Sequence, residues 1–179
     1  DDWFLASEIG LDVAIVEETA GVAALAVQGP TAYSILSRAG IELSGLKPFG
    51  LTHLDFDGAE LMVSRTGFTG DLGYELWISP EKAEASWDAI FEAGQITGIR
   101  AIGTDALNLA RIEAGFILAG VDFMPALQTV RHTHTRSPFE LGLDWLVNFD
   151  KGLFTGRRAL LEERARGSRY RLVKLDVEG

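Results

Sequence analysis

No cysteine occurs anywhere in the 179 residues. Disulfides, thiol nucleophiles and cysteine-ligated metals are therefore excluded. The composition suits a reducing compartment, and the cytoplasm is the expected one. No apolar run approaches the ~20 residues that cross a bilayer, so no membrane partner is expected. Basic residues are scarce beside acidic ones, 16 against 26, which leaves a net charge of -10. A field of that sign repels phosphate backbones, and nucleic acid is not an expected partner. The sequence also lacks G-x-G-x-x-G, G-x-x-x-x-G-K-[ST], G-x-S-x-G and H-E-x-x-H. Nucleotide-fold and hydrolase readings thus have no positive support. The start, Asp1-Asp2-Trp3-Phe4, has neither a charged n-region nor an apolar h-region. It reads as a chain already in progress.

What is present is a core's worth of apolar residues, with 10 Phe, 4 Trp and 47% hydrophobic content. The most informative stretch runs from Ser64 to Trp77, with Gly67, Gly70 and Gly73 between two strand-like runs. Glycine weakens a strand, and it is kept there for positive φ or for close approach of something to the backbone. Glu75 follows Tyr74 just as the second strand begins. The pattern is that of a binding loop on a rigid edge.

The elements alternate irregularly along the chain. Trp3–Ala6 and Val13–Glu17 read as short strand-like pieces, and Ala23–Gln28 as a short apolar run that ends in Gly29-Pro30. Gly29 is placed as N-cap and Pro30 in the first turn of a helix over Thr31–Ala39, which Gly40 stops. Leu51–Phe56 and Glu60–Thr66 form a hairpin around Asp57-Gly58. Tyr74–Ser79 alternates as a strand. Ser79-Pro80-Glu81 then opens a helix that carries Ala85, Trp87, Ile90 and Phe91 and stops at Gly94. Thr104-Asp105 begins a helix through Glu113, with Leu107, Ala110 and Ala114 at helical spacing on its buried face. Phe139–Phe149 is strand-like, Arg157–Ala165 is helical, and Gly167-Ser168 is a break before a strand over Arg171–Val177. The class is α+β, an antiparallel sheet arrangement with helices on one face. Strand–strand–helix units before Gly40 and before Gly94 suggest ferredoxin-like halves.

Candidate chemistry is sparse. A Glu75 carboxylate suits an edge with paired N–H donors, although spacing alone favours an exposed strand residue. His132-x-His134 on one strand face has no third ligand nearby, so no metal is expected. Arg131 and Arg136 flank that pair, and a solvated loop is the default for the strip. Arg111 reads as structural or as facing a ligand. Asp122 reads as a turn cap. Trp145 is either core or a stacking surface for a flat ligand. No general base emerges, and the catalytic residues stay unassigned.

Several motifs now converge. They are Leu25-Ala26-Val27-Gln28-Gly29-Pro30, Ser64–Glu75, Leu109–Gly115, Gly120-Val121-Asp122, Ser137–Leu143 and Gly156–Leu160. In this order, over nearly the whole chain, they resemble the glycine cleavage T-protein (aminomethyltransferase) family. The resemblance implies a T-protein-type folate-binding domain that moves a one-carbon unit, methyl or methylene, from an amine or methylated donor to tetrahydrofolate. It implies that Glu75 contacts the pterin, with Tyr74, Arg111, Asp122 and Trp145 as further folate-site candidates. It implies folate and a small donor as partners, with a carrier protein or a fused flavin domain also in question.

Leu107 stands where the T-protein proper has an arginine, and Ala119 stands where the family has a tyrosine. The Ala106-Leu107-Asn108 wording resembles the folate domains fused to dimethylglycine and sarcosine dehydrogenases, and both departures point away from the glycine-cleavage donor. The expected domains are residues 1–167, folate-binding with its N-terminal part missing, and 168–179, the start of a C-terminal β-barrel. The family's catalytic aspartate falls upstream of the strand that Asp1–Ala6 resembles. The alternatives are a non-catalytic folate-binding or regulatory module, the folate domain of a larger dehydrogenase, and a structural domain whose glycines only make turns.

Overall fold

A computed structural model describes residues 12–175. The chain divides into two compact units, the first ending at Ala114 and the second beginning at Gly115. This division falls inside the segment read above as one folate-binding domain. Trp3–Ala6 and the last residues of Arg171–Val177 lie outside the described residues.

The first unit is built on one antiparallel sheet. Its strands are β1 (Ala23–Gln28), β2 (Leu51–Phe56), β3 (Ala59–Ser64) and β4 (Gly73–Ile78), in the order β1-β4-β3-β2. The β2–β3 turn is Asp57-Gly58, with φ of 51° and 77°. Positive φ at both central residues matches the right-handed twist of the flanking strands. Side chains alternate across the sheet, and the register sorts them by chemistry. Val27 pairs with Tyr74, Leu25 with Leu76, Ala23 with Ile78, and Val63 with Leu76. This apolar face packs with Ala32, Ile35 and Leu36 of helix α1 (Ala32–Arg38) and Ile90 of helix α2 (Pro80–Gly94). Burying one such leucine contributes about 2–3 kcal/mol. The α+β class and the antiparallel sheet are as expected.

Several boundaries differ from the sequence reading. Val13–Glu17 forms no strand; its Val13, Ile15 and Val16 are exposed and have no ladder partner among the described residues. The first strand–strand–helix unit is therefore one strand and one helix there. Helix α1 takes Thr31, not Gly29, as N-cap. Gly29 is occupied elsewhere, because its N–H donates to the Leu72 carbonyl at 2.8 Å and extends the β1–β4 ladder. Ser79 is the N-cap of α2, but its hydroxyl makes no capping bond. Gly94 does not break the chain's helical course. A 3-10 turn (Gln95–Thr97) follows it, and the left-handed stop is Gly98 at φ 72°. Gly94 instead makes room, since a Cβ there would lie 2.6 Å from Ile99 Cβ.

Helix α3 (Thr104–Glu113) closes the first unit. Its buried position is Arg111, while Leu107 and Ala110 are half-buried and Ala114 is exposed. The buried face is thus not the apolar stripe that the spacing suggested.

The second unit has one α-helix, α4 (Arg157–Arg166), with short 3-10 turns before it. Phe139–Phe149 is not a strand but a run of turns ending in a 3-10 turn at Asp144–Leu146. His132–His134 is likewise a 3-10 turn, so that pair does not share a strand face. Residues 171–175 form no strand; Leu172 N–H donates to the Glu140 carbonyl at 2.7 Å as a single bond, not a ladder. Among the described residues no helix is long and apolar enough to cross a membrane.

Candidate functional site

The sheet face turned away from α1 and α2 carries a different set of residues. Ala24 lies opposite Trp77, Ala26 opposite Glu75, and Gln28 opposite Gly73. On the other side of β4, Ser64 lies opposite Glu75 and Met62 opposite Trp77. Glu75 therefore sits in the middle of this face, half-buried, with a methyl group on one flank and a hydroxyl on the other.

A short chain of hydroxyls fixes one edge of the carboxylate. Thr66 Oγ1 donates to Glu75 Oε2, and the Ser64 and Thr66 hydroxyls are bonded to each other. Thr66 has one hydroxyl proton, and it is spent on the carboxylate. Ser64 is thus the donor in the second bond. Glu75 Oε1 has no hydrogen-bond partner among the described residues. The arrangement is one oxygen held and one presented, which suits a ligand with N–H donors.

The three glycines of the loop have separable reasons. Gly70 alone has a positive φ, 79°, and a Cβ there would meet Ala114 Cβ at 2.5 Å. Gly67 and Gly73 are sites of close approach, and what approaches them is the Gln28 side-chain amide. Sequence reasoning missed Gln28 as a site residue. The available signal was its place at the end of β1, directly before Gly29-Pro30.

Of the five residues read as folate-site candidates, Glu75, Tyr74 and Arg111 belong to the first unit and are set differently within it. Glu75 lies on the sheet face just described. Tyr74, its neighbour, necessarily points the other way. It is 2% exposed and belongs to the apolar core under α1 and α2. Arg111 is also 2% exposed, and its Nε donates to Asn108 Oδ1 at 3.3 Å within α3. Asp122 and Trp145 belong to the second unit. Asp122 Oδ2 accepts from the Leu118 N–H at 2.6 Å, which is a turn-capping contact. Trp145 is 76% exposed on its 3-10 turn, so it is not core. Arg136 of the basic strip donates to the carbonyls of Thr133 and Thr135 and stacks on Tyr170. Among the described residues no group of three or more His, Asp or Glu assembles as a metal site. A hollow lined by Leu153, Phe154, Arg157 and Leu161 lies at the start of α4 and includes none of the candidates.

Comparison with known proteins gives concordant results. The family model described as GCVT N-terminal domain matches residues 2–151. An aminomethyltransferase of Halothermothrix orenii is 40% identical over 92% of this chain and 44% of its own length. A trimethylamine-oxide aldolase of Ruegeria pomeroyi is 37% identical over 97% of this chain and 22% of its own length. A crystal structure of glycine cleavage system aminomethyltransferase T from Bartonella henselae superposes with a TM-score of 0.73 at 25% identity. That match covers 93% of this chain and 43% of that one. The chain spans less than half the length of the aminomethyltransferases it matches. On the extent of the family match and the identity to these relatives, the chain belongs to the GCVT N-terminal domain family, the family of the glycine cleavage T-protein.

Proposed function

We propose that this chain holds tetrahydrofolate for a one-carbon transfer. The observation that carries the reading is the Glu75 carboxylate, anchored at Oε2 by Thr66 and presented at Oε1. A pterin's amino-pyrimidinone edge offers two parallel N–H donors, the complement of a carboxylate. Ala24 and Ala26 leave the adjacent sheet surface low, and Trp77 offers an aromatic wall beside it. When bound, the folate supplies N5, the nucleophile that accepts the carbon. Glu75 binds and orients the ring, and placing N5 beside the donor carbon is the main contribution such a site makes to the rate. No described residue is assigned the acid role.

The donor is a small amine or methylated compound. Relatives at similar identity bear the names aminomethyltransferase and trimethylamine-oxide aldolase. Leu107 and Ala119, where the T-protein proper differs, favour a donor other than that of glycine cleavage. Of the other candidates, Trp145 has the exposure for stacking on a flat ligand. A carrier protein or a fused flavin domain is the proposed protein partner. A chain without cysteine suits a reducing compartment, and the cytoplasm is the one proposed.

Anaerobic calorimetric titration of the purified protein with tetrahydrofolate tests the reading, with Glu75→Ala beside the unaltered chain. Loss of a charge-assisted pair weakens binding by roughly 10- to 100-fold. Equal affinity in the two proteins removes Glu75 from the site. Folate binding with no turnover of any methylated or aminomethyl amine leaves the non-catalytic folate module as the function.

A further inference from the structure

We propose that Gln28 is a positioning residue for Glu75, acting through Thr66. The proposal rests on the folate reading above and adds to it a residue that touches no ligand. Its first support is steric. The Gln28 amide is seated between Gly67 and Gly73. A Cβ at Gly67 would lie 2.8 Å from Gln28 Cδ, and one at Gly73 would lie 2.5 Å from it. Any side chain at either position displaces the amide. The two glycines therefore serve Gln28, not a turn.

The second support is the set of bonds the amide makes. Nε2 donates to the carbonyls of Thr66 at 3.5 Å and Tyr74 at 3.4 Å. Oε1 accepts from the Thr69 hydroxyl at 3.1 Å. One amide thus ties both ends and the middle of the loop between Thr66 and Tyr74. Those ends are the two residues that set Glu75. Thr66 supplies the hydroxyl on Oε2, and Tyr74 precedes Glu75 on β4. The order of dependence is Gln28, then the Thr66 backbone, then the Thr66 hydroxyl, then the carboxylate.

A purely structural role for Gln28 would lower stability and weaken all ligands alike. A positioning role acts only on ligands that use the carboxylate. The experiment measures affinity for tetrahydrofolate and for its 2-desamino-2-methyl analogue, which lacks one of the two N–H donors. Gln28→Leu and Thr66→Val should each weaken tetrahydrofolate about ten-fold and the analogue, which keeps one N–H donor to the carboxylate, by only about three-fold. Thr66→Ser should restore tetrahydrofolate. Gln28→Leu added to Glu75→Ala should cost nothing further, because the two act on one contact.

Equal losses for both ligands, or additive losses in the double variant, overturn the proposal. Should Gln28→Leu fail to fold, Gln28→Met replaces it. That variant keeps the side-chain length, adds no charge and removes the donor, and the same two outcomes decide. If Glu75→Ala itself fails to distinguish the ligands, it is the folate reading that falls. If Glu75→Ala distinguishes them and the Gln28 variant does not, only the positioning role falls.

Discussion

Among the residues whose burial is described, the buried hydrophobic ones lie in the unit that ends at Ala114, and the one buried side chain from Gly115 onward is a carboxylate, Glu163. The first unit closes by area. Leu36, Leu61, Val63 and Leu76 are essentially inaccessible and come from both helix and sheet. The second unit closes by polar pins. Glu163 Oε1 accepts from the Ser137 and Ser168 hydroxyls, each at 2.7 Å. Ser137 Oγ also accepts from the Glu140 N–H at 3.1 Å. Around these pins lie half-buried rings. Phe149 sits 6.3 Å from Phe139 and 6.1 Å from Phe154, with the Arg164 guanidinium over it at 4.3 Å. Non-directional burial tolerates small shifts, whereas a buried carboxylate fails as soon as its donors move.

The largest expected effect is in the first unit. Leu76→Ala removes a side chain at the centre of the core, facing Leu25 on β1 and Val63 on β3. It should cost about 3 kcal/mol, read by urea denaturation. A cost below about 1 kcal/mol would break the contrast, because the core would then not be what holds this unit. Next comes Glu163→Ala, which strips two hydroxyls of their acceptor. It should cost about 2 kcal/mol. Hydrogen exchange should quicken in α4 and leave β3 and β4 unchanged. Glu163→Gln, which keeps an acceptor, should recover part of the loss. Equal loss of protection in β3 and β4 would show that the two units are not held by separate means.

The same contrast explains what the sequence let one read. In the sheet unit, period-two alternation in Tyr74–Ser79 is enforced by a core on one side, so that strand was legible, whereas Ala23–Gln28 read only as a short apolar run and is a strand. The Asp57-Gly58 hairpin was legible because turn chemistry is local. Val13–Glu17 has the same local composition but no ladder, and local propensity does not report the partner. Phe139–Phe149 misled for a related reason. Its phenylalanines are spent on ring and cation contacts within a run of turns, not on a strand face. The glycines drew attention to Glu75, but spacing alone favoured an exposed strand residue, and the side chain is half-buried. Gln28 was not legible, because its amide reaches residues distant in sequence, and only the fold brings them together.

Gly94 offers a sharper probe of packing in the first unit. Gly94→Ala gains helix propensity, but the new Cβ meets Ile99 Cβ at 2.6 Å. Overpacking should win, for a net loss of about 1 kcal/mol in urea denaturation. Gly21→Ala, with nothing within 4 Å of the added Cβ, is the control and should be near neutral. Equal effects at both glycines would mean that the α2 C-terminus is loosely packed.

The smallest effect should come from a polar contact of the first unit, the Lys82 ammonium on Asp57 Oδ2 at 2.6 Å. It joins the β2–β3 turn to α2, much as Glu163 joins α4 to the turns before it. The difference is exposure, since the Asp57 side chain is 69% exposed. The hydrogen bond from Lys82, and then its charge, hold the Asp57 carboxyl below its ordinary value of 3.8. A depressed folded value stabilises above the unfolded one, and that contribution is lost as pH falls through the folded value. The window therefore lies in acid, below about 3.8. Lys82→Met should return Asp57 to its ordinary titration, followed by the carboxyl carbon signal in NMR. At neutral pH it should barely change the denaturation midpoint, because an exposed pair is screened by water and salt. A midpoint shift as large as that of Glu163→Ala would mean that polar contacts hold both units alike, and that the area of the core is not what separates them.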